Sequence, residues 1–106
     1  MKEVLTNTWQ YVEKDGNPTE AGVYLVTLIY PEIDNGKKTG RQFAETDFRY
    51  LANLDERPDV KSWALDGQPE HGLVWLERCG SYFGEQVYAW MPAPKIADLP
   101  EGVIEE

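Results

Sequence analysis

The segment Gly22–Tyr30 constrains the fold more than any other part of the sequence, because it is a β-type run with apolar residues at both parities. One face would carry Val23, Leu25 and Ile29, and the other Tyr24, Val26, Leu28 and Tyr30. A strand of this kind needs partners that cover both of its faces. Pro31 is expected to end it, because proline cannot donate a ladder hydrogen bond. Asn35-Gly36 then predicts a type I′ hairpin turn.

Turn signals recur about every ten residues along the rest of the chain, which is typical of a mostly β domain. Further strands are predicted at 9–13, 39–50, 59–65, 73–78 and 86–91. Residues 51–57 could form one or two helical turns that Pro58 ends. Phe43 and Phe48 differ in parity, which predicts a β-bulge near residues 45–47. We therefore expect a small antiparallel sheet or half-barrel of about six strands, all-β or α+β, with at most one short helix.

The length of 106 residues fits one domain with one hydrophobic core. We expect residues 1–106 to form a single domain, in which 95–106 is an extended or frayed acidic tail. Four tryptophans and six tyrosines are many for this length, and such rings dominate either a core or a binding surface. The predicted core includes Tyr24, Leu25, Val26 and Trp90.

The formal charge of −9 is unevenly distributed. Residues 37–61 hold six basic and five acidic groups, whereas the rest of the chain holds four basic and fourteen acidic ones. The molecule as a whole would repel a polyanion, which argues against direct nucleic-acid binding. The acidic excess serves solubility or mimics a nucleic-acid backbone towards a basic partner. With no visible signal peptide and no apolar run that spans a bilayer, we expect a cytoplasmic protein without a membrane partner.

No motif for a phosphate-binding loop, a dinucleotide, a zinc ion or a nucleophile elbow is present. Cys79 is the single cysteine, and we expect it to be a small core residue. Glu45 and Asp47 share parity and could hold a hard cation or act as acid and base, but such pairs arise by chance among nineteen acidic residues. We therefore predict no catalytic residue, no metal site and no cofactor, and a protein that is not an enzyme.

Two groups of residues are candidate binding sites. Arginines interleaved with aromatic rings on the predicted 39–50 strand can hold a phosphate and stack on a base, or they form a solvated face whose arginine stems cover the rings. This candidate ligand-binding set is Arg41, Phe43, Arg49 and Tyr50. The candidate protein-binding set consists of the acids that follow: Asp55, Glu56 and Asp59.

Three segments resemble a known family. They are Trp9, residues 18–26 with the pattern Pro-x-Glu-x-Gly-x-Tyr-Leu-Val, and residues 87–94 with the pattern Val-x-Ala-Trp-Met-Pro-x-Pro. This combination resembles the short phage and prophage proteins grouped as the domain of unknown function 551. The match covers the two ends of the chain, and Ala93 stands where the family commonly has leucine.

The resemblance implies a phage or prophage setting and carries no catalytic or binding residues with it. Together with the acidic charge, it favours a binding protein that interferes with a host defence system, acting as an acidic inhibitor of a host protein or as a nucleic-acid mimic. One alternative is a sponge for a small anionic signal, such as a cyclic nucleotide, near Arg41 and Arg49. Another is an accessory structural phage protein, and the exposed edges of a small sheet would favour a homodimer.

Overall fold

The computed structural model describes residues 8–93 and 100–103. In this part of the chain five antiparallel strands form one open sheet in the order β1-β5-β2-β3-β4. The strands are β1 (Gln10–Tyr11), β2 (Gly22–Asp34), β3 (Lys37–Asn53), β4 (Leu73–Trp75) and β5 (Gln86–Pro92). Two short helical segments, α1 (Val12–Asp15) and a 3₁₀ helix (Pro58–Trp63), connect them. The predicted mostly β, antiparallel fold class is confirmed.

The long hairpin of β2 and β3 dominates the sheet. Its turn residues Asn35 and Gly36 have φ angles of 52° and 77°, as the predicted type I′ turn requires. The expectation that Pro31 ends the strand is wrong, because β2 continues to Asp34. β5 pairs with β2 only as far as Ile29, so the β5 side of Pro31 is open and the missing N–H removes no ladder hydrogen bond.

The β-bulge lies elsewhere than predicted. Pairing between β2 and β3 is regular from Gly22 to Pro31 of β2, so residues 45–47 contain no bulge. The register shifts just beyond Pro31, opposite Gly40, whose φ of 95° suits a residue without a Cβ atom. From Gln42 to Asn53, successive β3 side chains therefore alternate strictly between the two faces of the sheet.

The first face of the sheet, which carries the even-numbered residues of β2, holds the larger core cluster. Its buried members are Val26, Leu28, Leu51, Leu65 and Trp75. Tyr24 packs edge-on between Trp75 and Trp90, with ring centroids 5.9 and 5.5 Å away. The indole N–H of Trp75 donates to Asn17 at 2.9 Å. Of the predicted core, Val26 is fully buried, Tyr24 and Trp90 are half-buried against it, and Leu25 is half-buried on the second face.

The second face, which carries the odd-numbered residues of β2, has a smaller cluster under the 3₁₀ helix. That cluster consists of Ala52, Leu54, Val74 and Leu76, with Val60 and Ala64 packed against it. The predicted helical turns at 51–57 are wrong, since β3 runs on to Asn53 and a turn follows. The predicted strand at 59–65 is also wrong, because the 3₁₀ helix occupies most of that segment. Pro58 begins the 3₁₀ helix instead of ending a helix, because the fixed φ of proline suits the first helical position.

The remaining strands are shorter than predicted, apart from β5. β1 ends at Tyr11, where the chain turns into α1 and the Tyr11 N–H donates to Asp15 at 2.9 Å. β4 spans three residues of the predicted 73–78. Cys79 is exposed, so its predicted place in the core is wrong. Most of the predicted tail lies outside the described residues, and its described part, 100–103, forms a turn.

Candidate binding surface

Arg49, which was predicted to bind a ligand, lies in a buried ion pair. Its side chain is 4% exposed, and its Nη1 donates to Oε2 of Glu85 at 2.7 Å. Its Nη2 lies 3.4 Å from Oδ2 of Asp47, which Arg78 also contacts. Two arginines and two carboxylates therefore balance one another here. Because both Nη groups face carboxylates, the role of Arg49 in this structure is internal.

Arg41, near the end of the hairpin, is exposed where Arg49 is buried. Its side chain is 73% exposed and donates two hydrogen bonds to Glu32, from Nε at 3.0 Å and from Nη2 at 2.9 Å. The hydrogen bonds lower the pKa of Glu32 and raise the pKa of Arg41, because each charge stabilises the other. An extended strand places Arg41 about 26 Å from Arg49.

The four residues of the predicted ligand-binding set do not form one site. Phe43 pairs with Tyr30 on the first face, whereas Tyr50 pairs with Val23 on the second. Regular alternation along β3 keeps these two rings on opposite sides of the sheet. The structure therefore does not bring the four residues together. The sequence pattern alone indicates neither the face on which a side chain lies nor how deeply it is buried.

The acids of the predicted protein-binding set are all exposed, in the turn after β3 and at the start of the 3₁₀ helix. Asp59 accepts two hydrogen bonds from Arg57, both at 2.9 Å. These bonds lower the pKa of the Asp59 carboxyl. His71 Nδ1 lies 3.7 Å from Asp55. Two of the three acids thus have a basic neighbour, and none of them lines a depression described below.

An exposed cluster of rings, which sequence analysis missed, forms where the hairpin leaves the body of the sheet. We call it the aromatic surface and define it by Tyr30, Ile33, Phe43, Tyr82 and Phe83. Tyr30 and Tyr82 stack in parallel, with centroids 4.1 Å apart and planes at 8°. The cluster lines a depression of about 370 Å³. The only sequence signal was an aromatic pair, Tyr82-Phe83, between two glycines.

The loop contribution to this surface is a tight turn, which we call the Tyr82–Glu85 turn. The Glu85 N–H donates to the Tyr82 carbonyl at 3.3 Å, and Gly84 has a φ of 73°, as the third position of a type II turn requires. Phe83, at the second position, is 72% exposed. A Cβ atom on Gly84 would lie 3.3 Å from Pro31, so the turn rests directly on β2.

The Tyr82–Glu85 turn forms a ridge between two depressions. One is the concavity of the aromatic surface, and the other, of about 400 Å³, lies against Leu65, Asp66 and Glu77. Tyr82 and Phe83 line both. Phe83, the more exposed of the two rings, therefore lies at the boundary between the two depressions.

Tyr30 anchors the aromatic surface to β3. Its hydroxyl donates to Oε1 of Glu45 at 3.1 Å. Desolvation, followed by the interactions with Glu45 and Tyr82, raises the pKa of Tyr30 to about 12. The phenol therefore remains a hydrogen-bond donor through the whole physiological pH range.

The described residues contain neither a cluster of metal-binding side chains nor a helix that could cross a membrane. Across 8–93 and 100–103, no group of three or more His, Cys, Asp or Glu side chains is arranged to hold a metal ion. Neither of the short helical segments described here has the length to cross a membrane. No family model, curated protein or solved structure matches the chain. The resemblance to the domain of unknown function 551 family stays a prediction from three segments.

Proposed function

We propose that the protein is a non-enzymatic binding protein that recognises another protein through the aromatic surface, with Phe83 as the anchor. The supporting observation is that Phe83 is 72% exposed at the crest of a turn that packs against β2. Aromatic residues are enriched at the cores of protein interfaces, where a few of them carry most of the binding energy. Burial of Phe83 in a partner would remove its exposed apolar area from water.

The charge of the chain supports a basic partner. A net charge of −9 would accelerate encounter with a positively charged surface. Asp55, Glu56 and Asp59 belong in this scheme as steering charges, not as anchors, because exposed charges act mainly on association rate. In the phage setting that the resemblance implies, the partner is a host defence protein and binding inhibits it.

The test is affinity capture from a bacterial lysate with three forms of the protein. Phe83→Ala removes the anchor, and Phe48→Ala removes a 48% exposed ring from the second face as the matched control. We expect a protein that wild type and Phe48→Ala retain and Phe83→Ala loses. Retention should weaken at high salt, where charge steering is screened. An empty capture at low salt, or equal retention by all three forms, would contradict the proposal.

A second candidate function is a receptor for a small anionic signal such as a cyclic nucleotide. It is favoured by a depression of about 200 Å³ that brings Lys38, Arg41 and Gln42 together beside Pro31. A phosphate there would have to compete with Glu32 for Arg41. A nucleotide at about 100 times its dissociation constant would stabilise the fold by about 2.7 kcal/mol. Thermal denaturation with a panel of cyclic nucleotides tests this, and the absence of any shift discards it.

A further inference from the structure

We infer that the buried Arg49–Glu85 ion pair positions the Tyr82–Glu85 turn, and that it fixes the orientation in which Phe83 meets a partner. The inference rests on the proposed function, because positioning has a purpose only if the turn binds. It assigns Glu85 a role that no motif in the sequence indicates. Glu85 lies 36 residues from Arg49 along the chain.

Glu85 links two parts of the molecule through its two carboxylate oxygens. Oε2 accepts a hydrogen bond from Arg49 on β3 at 2.7 Å. Oε1 accepts the backbone N–H of Tyr82, the first residue of the turn, at 3.0 Å. The Glu85 side chain is 1% exposed, so water has little access to its two carboxylate oxygens. Charge-assisted hydrogen bonds of this kind are short and directional, which suits a group that sets an orientation.

Stability alone does not account for this pair. Replacing a buried ion pair by apolar residues of similar volume is often neutral or stabilising. Among the described residues, Nε of Arg49 is a buried side-chain atom without a hydrogen-bond partner, and this adds to the cost of burial. An apolar core would fill the same space, but it would leave the Tyr82 N–H without its acceptor and the turn without its link to β3.

The other contacts of the turn restrain it differently. Tyr82 stacks on Tyr30, and Gly84 rests on Pro31. Both are packing contacts with β2, which tolerate sliding and rotation more readily than a charge-assisted hydrogen bond does. A turn that is already fixed loses less conformational entropy on binding, and this raises affinity.

The experiment compares the local order of the turn at matched global stability. The principal variant is the double change Arg49→Met/Glu85→Leu, which replaces both charged side chains by apolar ones. We expect its urea midpoint to be at or above that of wild type. Amide exchange at Tyr82 and chymotryptic cleavage after Tyr82 or Phe83 should both rise by about tenfold or more, because the turn loses a charge-assisted hydrogen bond. Exchange in β2 should not accelerate.

Glu85→Gln is the second variant. Its amide oxygen can still accept one of the two hydrogen bonds, so we expect a smaller acceleration at Tyr82 than in the double variant. Unchanged exchange and cleavage at the turn in both variants would overturn the inference. These measurements need no partner, so their outcome is separate from the capture experiment with Phe83→Ala, which tests the proposed function itself.

Discussion

Arg41 and Arg49 lie on the same strand, and each donates to a carboxylate, yet the two ion pairs differ in how far water reaches them. The Arg41 side chain is 73% exposed and that of its partner Glu32 is 23% exposed, so water reaches this pair. The Arg49 side chain is 4% exposed and its pair with Glu85 is sealed in the fold. Exposed pairs contribute little to stability, whereas a buried pair must remain complete. The comparison teaches that burial, more than residue type, sets what a charged side chain does.

The largest effect should come from breaking the buried pair on one side. Glu85→Ala leaves the Arg49 charge buried without its main partner, and we expect a loss of about 3–5 kcal/mol of unfolding free energy. Urea denaturation measures it. The Arg49→Met/Glu85→Leu variant is the control and should recover the whole loss. A change of less than about 1 kcal/mol for Glu85→Ala would show that the pair is not sealed from water.

The next effect compares apolar residues at the two ends of β3. Leu51→Ala, at a fully buried position next to the Arg49 end, should cost about 2–5 kcal/mol through lost burial and a cavity. Phe43→Ala, nearer the Arg41 end and 44% exposed, should cost about 1 kcal/mol because its ring is only partly removed from water. Urea denaturation measures both losses of unfolding free energy. Equal losses would show that the two ends of β3 do not differ in burial.

These contrasts also mark the limit of sequence-based inference. β2, β5 and the Asn35-Gly36 turn were predictable, because apolar runs and turn chemistry are local. The 3₁₀ helix was mistaken for a strand, since short apolar runs do not separate the two by periodicity. The aromatic surface and the burial of Arg49 depend on a loop that returns to β3 from 36 residues away. No local pattern carries that information.

A smaller effect separates two glycines with nearly the same backbone geometry. Gly84 and Gly36 have φ angles of 73° and 77°, but of the two only Gly84 would bring an added Cβ atom within 4 Å of a neighbour, Pro31. Gly36→Ala should cost about 1 kcal/mol through backbone strain alone. Gly84→Ala should cost about 1–2 kcal/mol more, because Pro31 must also move. Thermal denaturation of both variants measures the difference, and equal losses would mean that the turn does not rest on β2.

The smallest effect is expected at the exposed pair. The hydrogen bonds from Arg41 lower the pKa of Glu32. The pair therefore stabilises the fold above the pKa that Glu32 has in the unfolded chain, and this contribution is lost as the pH falls through the lower folded pKa. Glu32→Gln should shift the urea midpoint slightly at neutral pH and not at all in acid. A large shift at neutral pH would show that this pair, too, is shielded from water.

Residue-resolved amide hydrogen exchange of the wild-type protein tests the central claim most directly. The claim is that a buried ion pair holds an exposed turn rigid while the other end of β3 remains solvated. We predict that the Tyr82 N–H, although it lies in a surface loop, is protected to nearly the level of the core of β2. The amides of Thr39 to Arg41 should exchange far faster. Exchange at Tyr82 as fast as at the hairpin end would contradict the account.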